Sequence, residues 1–377
     1  MSRDYFVRRA VGCCAVLLLA VFPLCLSAGT SPTYIQINLA SDVPGLAMHT
    51  DPNLKNPWGV SFSSTSPFWV SNQASDNATL YDGLGNPQSL VVSMPPSIGP
   101  TGQAFNGTTD FNLPDGSAAK FLFDTLDGLI LGWNSGEGTT AVTVATVSGA
   151  VFTGLAIDSV GSINYLYAAD VTGHVDVFDT NFNNVTNTLF KGKFTDPNGL
   201  PGFNPFNIVN INNNLYVTYA KVNMQGMGEP GGFVDEYDSS GNLLQRIATS
   251  GSLFAPWGIA LAPPSFSGYG GKLLIGQFGN GVILVYDAVT LAFLGTINGQ
   301  DGNPIVNPYL WALEFRTGGK NCLTNALYFT AGYNDQKDGL FGLIVGVPNA
   351  AGGPNVSGPK PLKTTSPGAA RTDRSEE

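Results

Sequence analysis

Oxygen-bearing side chains recur beside short apolar runs in this chain and are its main candidates for chemistry. They form two groups, one at the start of such runs (Asn56, Asn204, Asn207 and Asn307) and one at the end of others (Asn72, Asp124, Asp170 and Gln277). An aromatic residue follows the second group after eight or nine positions, as in Asn72 to Tyr81 and Asp170 to Phe178. Amide and carboxylate oxygens of this kind bind sugars, peptides and other polar ligands, and they also bind hard cations such as Ca²⁺.

Two narrower sites can be built from the same residues. Asp124, Asp170 and Asn207 are candidate ligands for Ca²⁺. His174 follows Asp170 by four positions, so the two are candidates for a general base and the carboxylate that orients it. Asn and Asp are equally common in turns for conformational reasons, so a structural role for the whole set stays open.

A repeat supplies the elements that position these residues. Six segments that run from a turn into an apolar strand are marked by Trp58, Phe105, Gly154, Phe206, Trp257 and Trp311. The steps between the markers are 47, 49, 52, 51 and 54 residues, and further strand-like runs follow each marker. Four strands per unit at a period of about 50 predict an all-β, six-bladed β-propeller with four-stranded blades.

The sixth unit shows only three strands, whereas a strand-like run at 34–39 precedes the first unit. We therefore expect the N-terminal strand of the mature chain to complete the last blade and close the ring, with the propeller spanning 30–347. Loops that enter the first strand of a blade share one face with loops that join its second and third strands. The candidate oxygen-bearing residues should thus gather around one mouth of the central channel.

Composition and the chain ends narrow the function classes. Only 12% of the 377 residues are charged, the formal net charge is −10, and no Lys/Arg cluster lies in the body, which argues against a nucleic-acid partner. Three arginines, an apolar run at 10–26 and small residues at 27–30 predict a signal peptide over 1–28 and a secreted or periplasmic protein with no membrane span after its removal. The Gly- and Pro-containing tail at 348–377 is predicted to be disordered. We expect a monomer.

Several motifs resemble those of a secreted bacterial β-propeller family of unestablished function. They are 100–102 (PTG), 216–221 (YVTYAK), 256–263 (PWGIALAP), 310–313 (LWAL) and 327–332 (LYFTAG). Some members of that family occur in genomes with the PEP-CTERM sorting system, and the units also resemble NHL-type six-bladed propellers. The resemblance implies the propeller fold but no reaction.

Two functions follow from these observations. The first is a binding or scaffold propeller that recognises a polar small molecule, a glycan or a protein at the channel mouth. The alternative is a Ca²⁺-assisted hydrolase or lactonase of the six-bladed propeller type. Trp58, Trp257 and Trp311 are expected to pack between blades, with stacking on sugar rings as the other possibility.

Overall fold

The computed structural model describes residues 31–95, 97–221, 228–249 and 251–347. The predicted signal peptide (1–28) and the predicted disordered tail (348–377) lie outside these ranges. In the described part of the chain, no helix has the length and apolar character needed to span a bilayer. The short helical segments there are Gln73–Ser75, Ser135–Glu137 and Tyr333–Gln336.

The strands form six sheets in chain order. The first two strands, β1 (Thr33–Ser41) and β2 (His49–Thr50), belong to the last sheet. Blade 1 contains β3 (Pro57–Ser61), β4 (Phe68–Asn72), β5 (Asn77–Tyr81) and β6 (Pro87–Ser93). Blade 2 contains β7 (Pro100–Phe105), β8 (Phe121–Thr125), β9 (Leu129–Trp133) and β10 (Val142–Thr146). Blade 3 contains β11 (Phe152–Val160), β12 (Ile163–Asp170) and β13 (His174–Phe178).

The other three blades continue this order. Blade 4 contains β14 (Asn204–Ile211), β15 (Asn214–Ala220), β16 (Phe233–Asp238) and β17 (Leu243–Thr249). Blade 5 contains β18 (Pro256–Leu261), β19 (Lys272–Gln277), β20 (Ile283–Asp287) and β21 (Phe293–Thr296). After β22 (Asn298–Gly299), blade 6 contains β23 (Leu310–Phe315), β24 (Ala326–Gly332) and β25 (Asp338–Gly346). In blade 3 the place of a fourth strand is marked by an isolated bridge between Phe178 and Asn184.

The N-terminal strand closes the ring, as the sequence predicts. β1 pairs antiparallel with β25, with Tyr34 opposite Gly346 and Ser41 opposite Leu340. β2 and β22 extend the same sheet on β1. The inner strands β3, β7, β11, β14, β18 and β23 contact one another in succession, and β23 contacts β3. The prediction of an all-β, six-bladed propeller is confirmed.

Neighbouring inner strands approach closely at glycine. A Cβ atom on Gly59 would lie 2.6 Å from the carbonyl oxygen of Thr101, and one on Gly258 would lie 2.4 Å from that of Trp311. Such distances leave no room for a side chain, which explains the recurrent Pro-Trp-Gly motif at the start of blades 1 and 5. These glycines let the six inner strands form a narrow channel.

Every inner strand also carries an irregularity near its start. The register with the second strand shifts between Pro57 and Val60, Pro100 and Gln103, Phe152 and Gly154, Pro205 and Asn207, Pro256 and Ile259, and Leu310 and Leu313. A bulge changes the direction in which a side chain points. The residues within these shifts include Trp58, Thr101, Thr153, Phe206, Trp257 and Trp311. The repeat therefore places one such residue per blade at the same end of the channel.

Candidate functional site

Four of the six residues within the register shifts are aromatic and close the channel. We call these four, Trp58, Phe206, Trp257 and Trp311, the aromatic plug. The rings of Trp58 and Trp311 stack at 3.5 Å, and Trp257 lies edge-on to both. Phe206 packs against Trp311 at 5.9 Å. Two of these contacts, Trp58 with Trp257 and Phe206 with Trp311, join blades that are not neighbours, so the rings lie across the channel. All four are at least 95% buried, so the predicted packing role of the three tryptophans holds.

A pocket of about 280 Å³ begins at the plug and follows the inner strands toward their C-terminal ends. Its walls come from all six blades, including Val60, Leu155 and Ile259. Phe105 and Asn210 lie near the C-terminal ends of their inner strands and are partly exposed, whereas the plug at the start of these strands is buried. The pocket therefore opens to solvent at the C-terminal ends of the inner strands. We call this the open end. The mouth predicted from the sequence is the opposite, plugged end.

Most polar side chains in the pocket wall are occupied in holding blades together. Gln103 donates to the carbonyl oxygens of Gly59 (2.6 Å) and Trp69 (3.0 Å) and accepts from Ser61 Oγ (3.0 Å). Asn210 Nδ2 donates to Ile157 O at 2.8 Å. These bonds fix the wall and leave few groups for a ligand.

Glu314 is the exception. It lies near the end of β23 and lines the pocket, and its carboxylate has no hydrogen bond or ion pair among the described residues. Burial alone raises its pKa to about 8. At neutral pH the group is mainly a carboxylic acid, which can donate and accept hydrogen bonds. This residue was not predicted from the sequence. The available signal was a charged residue in an otherwise apolar inner strand (LWALEF). In the matching register, β7 and β18 have Ala104 and Ala260.

This pKa predicts a pH-dependent stability. The folded state holds the Glu314 proton more tightly than the unfolded chain does. The protonated side chain therefore contributes fully to the free energy of unfolding below about pH 4.5, and this contribution is lost as pH rises toward about 8. Each pKa unit is worth about 1.4 kcal/mol, and water in the open pocket reduces the total, so we expect Glu314→Gln to recover about 2 kcal/mol at the alkaline end. Urea unfolding across this pH range measures the difference between the two proteins.

The matched control is Glu137→Gln, which removes a carboxylate from the surface segment Ser135–Glu137 outside the pocket. This variant should follow the wild-type profile. Parallel pH profiles for wild type and Glu314→Gln would show that the carboxyl of Glu314 is solvated like an ordinary glutamate.

The predicted oxygen-bearing residues lie at the plugged end, where the start of each first strand faces the end of the second. Most of them are buried and bonded to nearby groups. Asn56 donates to Gln73 Oε1 (2.9 Å) and accepts from Trp311 Nε1 (3.1 Å). Asn204 donates to Val171 O (2.7 Å), and Asn207 donates to Trp257 O (2.9 Å). As ligand-binding residues they stay predictions; Asn207 alone of the eight also lines the pocket.

The remaining members of the set make similar local bonds. Asn72 donates to Asn77 and Thr79, Gln277 accepts from the Phe254 amide, and Asn307 exchanges two bonds of 2.9 Å with Gln36 of β1. The last pair ties the closing strand to the loop before β23.

Asp124 is fully buried and accepts from Thr101 Oγ1 (2.7 Å) and the Gly102 amide (2.6 Å). Burial raises its pKa to about 7, although these bonds act in the opposite direction. Among the described residues, Asp170 does share a cluster of possible metal ligands, but with His174 and Asp176 rather than with Asp124. As a Ca²⁺ ligand set, Asp124, Asp170 and Asn207 stay a prediction.

The fold and pocket define the class of this protein as a six-bladed β-propeller with a central pocket closed at one end. The uncharacterised protein R648 of Acanthamoeba polyphaga mimivirus is 31% identical over 330 residues, which cover 81% of this chain and 78% of R648. The uncharacterised protein L690 of the same virus is 31% identical over 332 residues, covering 80% and 82%. The chain belongs to the family of these mimivirus proteins.

No family model matches the chain. The predicted kinship with a bacterial, PEP-CTERM-associated family is therefore wrong, because the relatives found are viral. Motifs such as 256–263 and 310–313 lie on inner strands that carry the plug residues Trp257 and Trp311. These motifs are accounted for by packing inside the propeller and so carry no signal of bacterial origin. The comparisons give no support to an NHL relationship either.

Similarity to solved structures is weaker. One chain of the crystal structure of a nidogen/laminin complex matches 69% of this chain and 84% of its own, with a TM-score of 0.46 and 13% identity. One chain of the crystal structure of BBS1N in complex with ARL6DN matches 76% of each, with a TM-score of 0.42 and 15% identity. The propeller fold itself is compatible with the predicted binding or scaffold role.

Proposed function

We propose that the protein is a binding propeller that takes a small ligand bearing an ammonium group into the central pocket, with Glu314 as its counter-ion. The observation that carries the proposal is the unpartnered carboxyl of Glu314 in the wall of a pocket closed at one end. An incoming cation would favour the ionised carboxylate and offset the desolvation that raises the pKa of this group.

The pocket and the overall charge support this choice of ligand. A volume of about 280 Å³ lies at the small end of ligand pockets, and apolar residues such as Phe62, Leu155 and Leu313 suit an alkyl chain. The formal net charge of −10 favours the approach of cations. Neutral polar groups in the wall are occupied by bonds within the protein, so a sugar would find few free partners there.

Calorimetric titration with n-butylamine and n-butanol tests the proposal, because the two probes have similar shape but only the amine carries a charge. Wild type should prefer the amine by about tenfold, which is the worth of a charge-assisted hydrogen bond. The Gln variant of Glu314 should lose this preference. Amine binding to wild type near neutral pH should also release a proton from Glu314, which appears as a dependence of the measured heat on the buffer.

Glu137→Gln is again the matched control and should retain the preference and the proton release. Equal affinity of wild type for the two probes, or an unchanged preference in Glu314→Gln, would reject the proposed function.

We further propose that the protein acts as a monomer outside the compartment in which it is made. The support for export is the sequence of the first 28 residues, where three arginines precede an apolar run. The support for a monomer is ring closure by β1, which pairs the edge that β25 would otherwise expose. Cell fractionation and light scattering test the two statements separately.

A further inference from the structure

A cluster of three metal-ligating side chains lies on blade 3, away from the pocket. Asp170 ends β12 and His174 begins β13, and the two residues are direct partners across the antiparallel pair. Asp176 lies two positions beyond His174, so its side chain points to the same face of the sheet. The fold thus brings two carboxylates and one imidazole together at the plugged end.

The distances suit one small cation. His174 Nε2 lies 3.6 Å from Asp170 Oδ2 and 3.4 Å from Asp176 Oδ2, and all three ligand atoms lie within 4.8 Å of one another. Two ligands that each lie about 2.0 to 2.2 Å from a tetrahedral zinc ion are about 3.3 to 3.6 Å apart. Small side-chain movements would therefore complete the geometry.

Asp176 provides a second observation that points to a ligand. The residue is 98% buried, and its Oδ2 atom accepts no hydrogen bond among the described residues. Its Oδ1 atom accepts from Asn184 (2.7 Å) and Thr186 (3.1 Å), so the carboxylate is held with Oδ2 toward His174. A buried carboxylate oxygen without a donor is costly, and a cation would satisfy it.

The neighbouring groups orient the other ligands. Asp170 Oδ1 accepts from the amides of Val151 (3.0 Å) and Thr172 (2.8 Å), while Oδ2 faces His174 and also accepts from Thr172 Oγ1 (2.6 Å). Outer bonds of this kind fix metal-binding carboxylates. The His174 side chain is 54% exposed, which leaves room for water as a fourth ligand.

We propose that Asp170, His174 and Asp176 bind a divalent transition-metal cation of the Zn²⁺ type. An imidazole with two carboxylates suits Zn²⁺, Co²⁺ or Ni²⁺, whereas Ca²⁺ prefers six to eight oxygen ligands. The site is separate from Glu314 and does not depend on the function proposed for the pocket.

Equilibrium dialysis of the untagged full chain against Zn²⁺, followed by metal analysis, tests this site. Wild type should bind one equivalent, and His174→Ala and Asp176→Asn should each weaken binding by at least about tenfold. With Co²⁺, wild type should show the visible absorption of a tetrahedral ion, and His174→Ala should not. Zn²⁺ should raise the melting temperature of wild type more than that of His174→Ala.

The sequence offers a matched control, because His49 is the other histidine of the chain. His49→Ala should keep the full equivalent of Zn²⁺ and the Co²⁺ spectrum. His174 is exposed, so its replacement should leave the urea midpoint without metal unchanged, and a loss of binding then reports on the site itself. Equal Zn²⁺ affinity in wild type and His174→Ala, or loss of binding in His49→Ala, would overturn the proposal.

Discussion

A chain that begins at Val43, and so lacks β1, will not form a stable propeller. β1 buries Tyr34, Leu39 and Ala40 almost completely and supplies the outer partner of β25 from Leu340 to Gly346. Ser41 Oγ donates to Gly339 O at 2.6 Å. Burial of Tyr34 and Leu39 alone is worth about 2 kcal/mol each, and the open edge of β25 would lose its ladder of hydrogen bonds. The sum approaches the total stability of a typical domain, about 5 to 15 kcal/mol.

Urea unfolding and size-exclusion chromatography measure this effect. A chain that begins at Pro32 keeps β1 and is the control, which should show one cooperative transition. The shorter chain should lose that transition and aggregate through the exposed edge. A synthetic peptide of residues 32–43, added in excess, should restore part of the fold by strand addition. A cooperative transition of wild-type midpoint in the shorter chain would contradict the role of β1 in closure.

Ring closure by β1 was predictable from the sequence because it depends on local strand patterns and on the number of strands in each repeat. Each blade is a run of hairpins whose strands are neighbours in sequence, so the period of about 50 residues and the unpaired run at 34–39 were sufficient. The proximity of Asp170 and His174 was predictable for the same reason, since only a tight turn separates them. The part played by Asp176 was missed, although alternation along a strand places it beside His174.

The position of the pocket was not predictable, because it depends on contacts between distant blades. Trp58 meets Trp257 across the channel, and bulges in both inner strands set the direction of their side chains. A one-residue shift in register reverses the face that a side chain occupies, and the sequence contains no local signal for such a shift. The mouth was therefore predicted at the end that the plug fills, and Glu314 at the open end was overlooked.

The second large effect is expected from Trp311→Ala, which removes the centre of the plug. The Trp311 ring stacks on Trp58 at 3.5 Å and on Phe278 at 4.3 Å, and the residue is 1% exposed. Its Nε1 atom donates to Asn56 Oδ1 at 3.1 Å, so the substitution also leaves a buried oxygen without a donor. Large aromatic residues replaced by alanine in cores cost about 3 to 5 kcal/mol, and the orphaned oxygen places the expected loss near the upper limit.

Phe293→Ala is the control, because Phe293 is 50% exposed on an outer strand and its loss should cost less than about 1 kcal/mol. Added indole distinguishes loss of the Trp311 ring from a general loss of stability. An apolar cavity left by a deleted ring can bind a molecule of matching shape. Added indole should raise the unfolding midpoint of Trp311→Ala and leave those of wild type and Phe293→Ala unchanged. If Trp311→Ala loses no more stability than Phe293→Ala, the aromatic plug does not close the pocket. A ligand would then have access to the channel from both ends.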